Sequence, residues 1–123
     1  SGIPWWTSDI GGYHGGDPES SYMRELIVRW FQFGAFCPIF RLHGARNPRP
    51  SPGIPGAPNE VWSYGEKAYK IIKDLLFMRK RLKPYIMKQM KLASEKGIPV
   101  MRPLFFDFPE DKTCYGRGIF IWT

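Results

Sequence analysis

Residues 3–13 read Ile3-Pro4-Trp5-Trp6-Thr7-Ser8-Asp9-Ile10-Gly11-Gly12-Tyr13. The apolar run predicts a short buried strand that ends at Asp9, and the glycine pair predicts a sharp turn after it. In parallel α/β barrels, catalytic and binding side chains gather at the carboxyl ends of the strands. Trp6 and Tyr13 would place flat apolar faces near the Asp9 carboxylate, a combination that suits a sugar ring. An isolated Asp before two glycines is also typical of a residue that only caps a turn, and both interpretations stand at this point.

The length and composition fit one modest domain. The chain has 123 residues, of which 43% are apolar and 16% aromatic, enough to build a core. It opens without an initiator Met on a predicted core strand, and its order of strand, helix, strand and long helix gives too few strands for an independent sheet. We therefore expect a piece of a larger fold. No run of about 18 apolar residues is present, so no transmembrane helix is predicted; export stays open, with a cytoplasmic location favoured.

The two cysteines and the positive charge indicate no specialised chemistry. Cys37 and Cys114 form no Cys-x-x-Cys motif, which favours neither a zinc site nor a disulfide framework. We expect Cys37, inside an apolar run, to be a buried and inert thiol, and we predict no cofactor and no metal. The formal charge of +7 is compatible with nucleic acid or an anionic surface as a partner. Most of that charge, however, falls in one long predicted helix.

A first helix is predicted from the start signals in residues 17–21, which supply a capping Asp, an early proline and an acid in the first turn. It should run from Glu19 to Phe33, with Gly34 as its terminator. Spacings of three and four predict its buried face. This face would comprise Tyr22, Leu26, Trp30 and Phe33.

A second short strand is predicted over Phe36–Phe40, closed by Arg41-Leu42-His43-Gly44. Arg41 and His43 lie two apart, so they project to the same side of an extended chain. A lone histidine is more often structural than a ligand. If the two predicted strands are parallel neighbours, however, Asp9 and His43 converge over one pocket. His14, in the glycine-rich turn, is interpreted as a loop residue.

Residues 45–59 are dense in proline and glycine, which predicts an irregular loop that proline stiffens. A loop of about 15 residues after a strand end is longer than usual, and such loops are often walls of active sites. Arg46 and Arg49 could reach over the mouth of the pocket. A solvated position on the surface suits them at least as well.

The longest predicted element is a helix from Glu66 to Lys96 that Gly97 ends. Pro84 predicts a kink or break near Lys83 because proline lacks the backbone donor. The lysines fall mainly between the apolar positions, which predicts a solvated outer face; a polynucleotide-binding helix would be expected to add aromatics to its basic face. The predicted buried stripe is Tyr69, Ile72, Leu75, Leu76, Leu82, Ile86 and Met90.

Residues 98–109 predict an extended segment bounded by prolines. Arg102, between apolar residues, is expected to form a buried salt bridge. Phe105, Phe106 and Phe108 need a covering surface that nothing nearby in the sequence provides. Residues 115–123 fit no clear element.

Taken together, five stretches resemble the last part of the catalytic barrel of glycoside hydrolase family 31, the α-glucosidase and α-xylosidase group. The resemblance spans residues 1 to about 112 in the family's order. It implies an α/β fold in which residues 1–97 are the last two βα units of a (β/α)8 TIM barrel, and residues 98–123 an extended segment leading toward a C-terminal β domain. The stretches are Trp5-Trp6-Thr7-Ser8-Asp9-Ile10-Gly11-Gly12-Tyr13, Arg29-Trp30-Phe31-Gln32-Phe33-Gly34-Ala35-Phe36, Phe40-Arg41-Leu42-His43-Gly44, Leu82-Lys83-Pro84-Tyr85-Ile86 and Gly97-Ile98-Pro99-Val100-Met101-Arg102-Pro103-Leu104-Phe105.

The resemblance implies a retaining, exo-acting α-glycosidase that hydrolyses terminal α-linked glucose or xylose. It would use Asp9, His43, Tyr13 and Trp6 to bind the sugar, with Arg41 supporting the site. The family's catalytic aspartates lie on earlier strands, so no catalytic residue and no metal ligand is expected in this chain. After Cys114 the sequence departs from the family's usual acidic continuation, which leaves residues 116–123 without an interpretation.

Two other functions remain open from the sequence. One is a non-catalytic carbohydrate-binding module built on the same acid and aromatic residues, and the other is a basic nucleic-acid-binding domain. The favoured partners are an oligosaccharide or α-glycoside and the rest of the parent polypeptide, with no nucleic acid and no membrane. The oligomeric state stays open, as does the choice between glucose and xylose.

Overall fold

The computed structural model describes residues 3–53 and 55–115, together with the backbone of residues 120–121. Two helices dominate it: α1, Ser21–Gly34, and α2, Glu66–Lys96. Two short strands, β1 (Arg102–Pro103) and β2 (Phe120–Ile121), pair antiparallel near the C-terminus. Short 3-10 helices cover Leu104–Phe106 and Lys112–Tyr115.

Helix α1 begins two residues after the predicted start at Glu19 and ends one residue after the predicted end at Phe33. The predicted capping Asp is wrong, since Ser20 caps the helix and no acid lies in its first turn. The Ser20 hydroxyl accepts a hydrogen bond from the backbone N–H of Met23 at 3.2 Å, which satisfies one of the free donors of the first turn. The helix ends at Gly34, but Ala35 after it stays in the right-handed helical region, so the glycine is not needed for a left-handed cap. A Cβ on Gly34 would stand 2.5 Å from Cδ1 of Ile10. Gly34 therefore allows α1 to approach the first extended segment closely.

The predicted buried face of α1 is wrong at Tyr22 and Phe33, whereas Leu26 and Trp30 are half-buried and pack against the core. Tyr22 is 76% exposed and Phe33 is 47% exposed. The buried row is instead Met23, Ile27 and Phe31, at spacings of four residues. The helix is rotated toward this row because its aliphatic side chains pack with Ile10 and with residues of α2 in one cluster, whereas the longer aromatic residues flank that contact.

Helix α2 has the predicted bounds, but the predicted break at Pro84 is absent, since the helix continues through Lys83, Pro84 and Tyr85. Proline removes the donor that would pair with the carbonyl of Lys80. Both Pro84 and Lys80 lie on the exposed side of the helix, where water can satisfy the freed carbonyl. The helix ends at Gly97, which adopts a left-handed φ of 68°.

The core lies between the two helices and the first extended segment. Its main cluster contains Ile10, Ile27, Phe31, Tyr64 and Ile72. A second cluster joins the last turns of α2 to Val100. The predicted buried stripe of α2 is correct at Ile72, Ile86 and Met90, whereas Leu76 is 36% exposed. The observed stripe also includes two alanines and a glutamine. Its buried positions are Ala68, Ile72, Ile86, Gln89, Met90 and Ala93.

Two extended segments, residues 6–10 and 40–43, run parallel. The second strand predicted over Phe36–Phe40 is wrong, because residues 36–39 form turns and bends and the extended segment begins only at residue 40. Isolated bridges join Ile10 to Leu42 and His14 to Ala45, and Ile10 exchanges backbone hydrogen bonds with Arg41 and His43 at 3.2 and 3.0 Å. The predicted burial of the first run is wrong at its start, where Trp5 is 59% exposed. The helices pack over the segment from Ile10 onward and leave the earlier residues in contact with solvent.

The C-terminal part confirms the predicted salt bridge of Arg102, which is buried at the arginine and partly exposed at Asp107. Nη2 of Arg102 lies 2.9 Å from Oδ1 of Asp107, and Nε donates to the same carboxylate. Phe105, Phe106 and Phe108 are all partly or largely exposed, and the ring of Phe105 stacks on that of Tyr115. Of the uninterpreted tail, residues 116–119 and 122–123 lie outside the described residues.

Candidate functional site

Asp9 and His43 meet where the two parallel segments end side by side. Oδ2 of Asp9 lies 4.0 Å from Nε2 of His43, and Oδ1 accepts a hydrogen bond from Nη2 of Arg41 at 2.5 Å. All three side chains are partly open to solvent. The parallel pairing brings these residues together because Ile10 pairs with Leu42, which places Asp9 beside Arg41 and His43.

The charge state of Asp9 follows from its neighbours. The hydrogen bond from Arg41 lowers the pKa of the Asp9 carboxyl below its usual value, and the positive charge of a protonated His43 acts in the same direction. Partial burial opposes this shift but does not reverse it. Asp9 is therefore an ionised hydrogen-bond acceptor at neutral pH.

Tyr13 forms an aromatic wall beside this pair. Its ring stacks on that of His43 with 5.5 Å between centroids and 27° between planes, and it lies 4.1 Å from the ring of His14. Tyr13 is 64% exposed, so much of its side chain stays open to solvent. His14 is an exposed loop residue, as predicted.

Trp6, predicted to bind the sugar together with Asp9 and Tyr13, lies earlier on the first segment than both. Its ring packs edge-on against Phe33 of α1, with centroids 5.6 Å apart, and its carbonyl accepts from the N–H of Ile39. Trp6 remains partly exposed. The structure thus brings Asp9, Arg41, His43 and Tyr13 into one cluster and holds Trp6 at the side of α1.

The prediction that Arg46 reaches over a pocket mouth, or lies solvated, is wrong. Arg46 is 1% exposed, and its guanidinium donates to the carbonyls of Gly12, Gly15 and His43 at 3.2, 2.6 and 2.7 Å. Its Nε donates to Oδ1 of Asn59 at 3.1 Å. The side chain turns inward because the surrounding backbone carbonyls need donors that the chain around them does not supply. Arg49 is exposed.

Asn59 and Tyr64 complete this buried cluster, and sequence reasoning missed both. Nδ2 of Asn59 donates to the carbonyls of His43 and Gly44 at 3.1 and 2.8 Å. The Tyr64 hydroxyl, on a fully buried ring, donates to Oδ1 of Asn59. We call Arg46, Asn59 and Tyr64 the Arg46 network. The sequence offered one signal for them: Asn59 and Tyr64 lie between the proline-rich loop and the start of α2.

The loop over residues 45–59 is irregular, as predicted. It returns on itself through an antiparallel bridge between Arg46 and Ala57 and a hydrogen bond from the N–H of Ala57 to the carbonyl of Pro48. The peptide bond between Asn47 and Pro48 is cis. The role of this loop as a wall of the site stays a prediction.

Cys37 is buried, as predicted, and burial raises the pKa of its thiol to about 11. Cys37 and Cys114 are both free thiols. Among residues 3–53 and 55–115, no group of three His, Cys, Asp or Glu side chains is placed to hold a metal ion. Within that same part of the chain, neither helix has a stretch apolar and long enough to span a bilayer.

Two adjacent parallel segments with polar side chains at their carboxyl ends are typical of parallel α/β barrels, in which binding and catalytic residues gather at the strand ends. A model of the family 31 glycosyl hydrolase TIM-barrel domain matches residues 1–89. The chain belongs to glycoside hydrolase family 31, and its fold is a fragment of that TIM barrel.

Relatives and solved structures agree with this assignment. The chain is 37% identical over 115 residues to an alpha-xylosidase of Saccharolobus solfataricus, covering 94% of this chain and 14% of that protein. It is 37% identical over 118 residues to a probable glucan 1,3-alpha-glucosidase of Oryza sativa, covering 96% of this chain and 11% of that protein. The chain thus spans a small part of the length of these relatives.

Among solved structures, a GH31 alpha-xylosidase from a soil metagenome, complexed with xylose, superposes with a TM-score of 0.91. It shares 48% identity, and the match covers 98% of this chain and 20% of that one. A GH31 dextranase of Flavobacterium johnsoniae, complexed with glucose, superposes with a TM-score of 0.79 at 34% identity, covering 98% of this chain and 14% of that one.

Proposed function

We propose that this chain is part of a retaining, exo-acting α-glycosidase that removes terminal α-linked glucose or xylose. Asp9, His43, Tyr13 and Trp6 would bind the terminal sugar, and Arg41 would support the site. The observation that carries this proposal is the approach of Asp9 and His43 to 4.0 Å from two parallel segments. The xylose complex of the similar soil-metagenome enzyme supports a pentose as the ligand, and the glucose complex of the similar dextranase supports a hexose.

The chemistry of the pair suits neighbouring hydroxyl groups on a sugar ring. An ionised carboxylate accepts hydrogen bonds only, whereas an imidazole offers a donor, an acceptor or both. One oxygen of Asp9 is held by Arg41, so the other, facing His43, is the one that a hydroxyl would reach. The exposed part of the Tyr13 ring, which stacks on His43, would lie against the apolar face of the sugar.

Asp9 is assigned to binding and not to proton transfer. A general acid must hold a proton near the working pH, and the lowered pKa of Asp9 removes that proton. Retaining glycosidases need two carboxyl groups about 5 Å apart on either side of the scissile bond. We propose that both come from other parts of the full-length protein and that this chain supplies the sugar-binding side.

The proposal includes the arrangement of the chain in its parent. Residues 1–97 would form the last two βα units of the barrel, with α1 and α2 as their helices. Residues 98–123 would lead toward a C-terminal β domain. The parallel bridges between the extended segments support the first assignment, and the strand pair of β1 and β2 supports the second.

The test uses the full-length protein and 4-nitrophenyl α-xyloside or α-glucoside. Asp9→Asn and His43→Ala should each lower kcat/KM roughly 10- to 100-fold, because each removes a hydrogen bond to the reacting sugar. Asp74→Asn, a change of the same kind at an exposed carboxylate of α2, should have wild-type kinetics. Wild-type kinetics in both site variants would show that the site is misassigned.

Two further measurements decide the class of activity. Proton NMR of the first product should show the α-anomer if the reaction proceeds with retention. Glycan binding by the full-length protein without any hydrolysis would instead indicate a carbohydrate-binding module. Retention on heparin with a steep salt dependence would indicate a nucleic-acid-binding protein.

A further inference from the structure

The Arg46 network lies directly behind the residues assigned to sugar binding. We propose that Arg46 and Asn59 are positioning residues, whose buried hydrogen bonds to the backbone around Gly12 and His43 hold His43 at its distance from Asp9. This inference rests on the proposed function, since it gives the network a task within that same site.

The backbone of His43 is anchored on both sides. Its carbonyl accepts from Nη2 of Arg46 at 2.7 Å and from Nδ2 of Asn59 at 3.1 Å, which uses both lone pairs of that oxygen. Its N–H donates to the carbonyl of Ile10 at 3.0 Å. The orientation of both flanking peptide groups is therefore fixed, and only the side-chain torsions of His43 remain free.

The same guanidinium also holds the turn that follows Asp9. It donates to the carbonyls of Gly12 and Gly15, which lie on either side of Tyr13 and His14. Tyr13 in turn stacks on His43. The buried side chain of Arg46 thus fixes the two turns relative to each other. The side chains that would face the sugar, Asp9, Tyr13 and His43, are held with them.

The fit around the guanidinium is tight. A Cβ on Gly44 would stand 2.0 Å from the carbonyl oxygen of Gly12 and 2.7 Å from Nη2 of Arg46, and a Cβ on Gly11 would stand 3.0 Å from the same nitrogen. Both glycines also have φ above 90°, a conformation that other residues rarely adopt. The two turns can approach the guanidinium this closely only because glycine occupies both positions.

Tyr64 fixes the orientation of the Asn59 amide. Its hydroxyl and Nε of Arg46 both donate to Oδ1 of Asn59, so the amide nitrogen is left to face the carbonyls of His43 and Gly44. Tyr64 stands just before α2, which connects the rigid helix to the site. Tyr64→Phe would remove this orienting bond and keep the buried ring.

The chain offers a matched control at the other end of the second extended segment. Arg79 also donates to three backbone carbonyls, those of Ala35, Cys37 and Pro38, at 2.8, 2.5 and 3.0 Å. These carbonyls precede the segment that ends at His43. Arg79→Lys therefore weakens a comparable set of hydrogen bonds away from the two turns.

The experiment compares Asn59→Ala and Tyr64→Phe in full-length protein, alone and combined with His43→Ala. Asn59→Ala should lower kcat/KM on 4-nitrophenyl α-xyloside or α-glucoside roughly 10- to 100-fold, since a displacement of about 1 Å has effects of that size, and Tyr64→Phe should lower it less. In the His43→Ala background, each loss should shrink below about threefold, because the network acts through His43. Arg79→Lys should lower Tm and keep the wild-type kcat/KM.

Equal losses in both backgrounds, or wild-type kinetics in Asn59→Ala, would overturn the inference. If Asn59→Ala does not fold, the losses of kcat/KM in the wild-type and His43→Ala backgrounds are compared for Tyr64→Phe instead. A crystal structure of the full-length Asn59→Ala variant, or of Tyr64→Phe in its place, should show His43 displaced relative to Asp9; an unmoved His43 overturns the inference. If the wild-type protein hydrolyses neither glycoside, the proposed function fails. The positioning role of Arg46 and Asn59 is then decided only by whether His43 is displaced in the crystal structure of the variant.

Discussion

The carboxylate of Asp9 divides its two oxygens between two neighbours. Arg41 holds Oδ1 at 2.5 Å and His43 faces Oδ2 at 4.0 Å. About half of the Arg41 side chain is exposed, and exposed ion pairs contribute little to stability because water screens them. The main consequence of this contact is therefore the orientation of the carboxylate, which is what a binding residue requires.

Cys37 should resist alkylation while the protein is folded. Its thiol is buried with a pKa raised to about 11, so at pH 8 only about one part in a thousand is the reactive thiolate. We expect iodoacetamide at pH 8 to leave Cys37 unmodified in native full-length protein and to modify it after denaturation, as read by peptide mass spectrometry. The Cys114→Ser variant serves as the control that the protected site is Cys37. Rapid labelling of the native protein at Cys37 would contradict the burial described here.

At the residue scale, the sequence predicted some positions well and others not at all. The meeting of Asp9 and His43 follows from local rules: each comes at the end of an apolar run, and parallel runs bring their ends together. The Arg46 network follows no local rule, because its partners at Gly12 and Gly15 lie 34 and 31 residues away. Only the folded chain shows that Arg46 turns inward.

At the scale of elements, the bounds of the helices were predictable because caps are local. Ser20 starts α1 and the left-handed Gly97 ends α2. The buried faces were less predictable, since they depend on which row of side chains meets the neighbouring element. In α1, the row of Met23, Ile27 and Phe31 is buried, and the larger aromatic side chains of Tyr22 and Phe33 remain exposed.

Pro84 should reduce the stability of α2. The helix is continuous on both sides of it, and proline in a helix interior costs about 3 kcal/mol relative to alanine. We expect Pro84→Ala to raise the free energy of unfolding of the full-length protein by about 1–3 kcal/mol, measured by chemical denaturation. Lys83→Ala, at the preceding exposed position, should change it by less than about 0.5 kcal/mol. A loss of stability in Pro84→Ala would mean that the proline is required.

At the scale of the whole molecule, we expect the 123-residue chain alone to be inactive and poorly cooperative. The two parallel segments leave backbone groups unpaired at their edges, and exposed side chains such as Trp5, Met87 and Phe106 form apolar surface of the kind that drives association. The purified chain should hydrolyse neither 4-nitrophenyl α-glucoside nor α-xyloside, and it should melt broadly in calorimetry. A sharp two-state transition with measurable turnover would show that these residues contain a complete catalytic site.

The hydrogen bond between Arg46 and Asn59 closes the proline-rich loop at its base. The two residues lie thirteen positions apart in the chain, yet they are joined at 3.1 Å beneath the site. We therefore expect changes in loop length between these two residues to leave the positions of the two turns unchanged. For protein engineering, this makes the part of the loop between Arg46 and Asn59 the natural place to insert or randomise sequence while Asp9, Tyr13 and His43 keep their geometry.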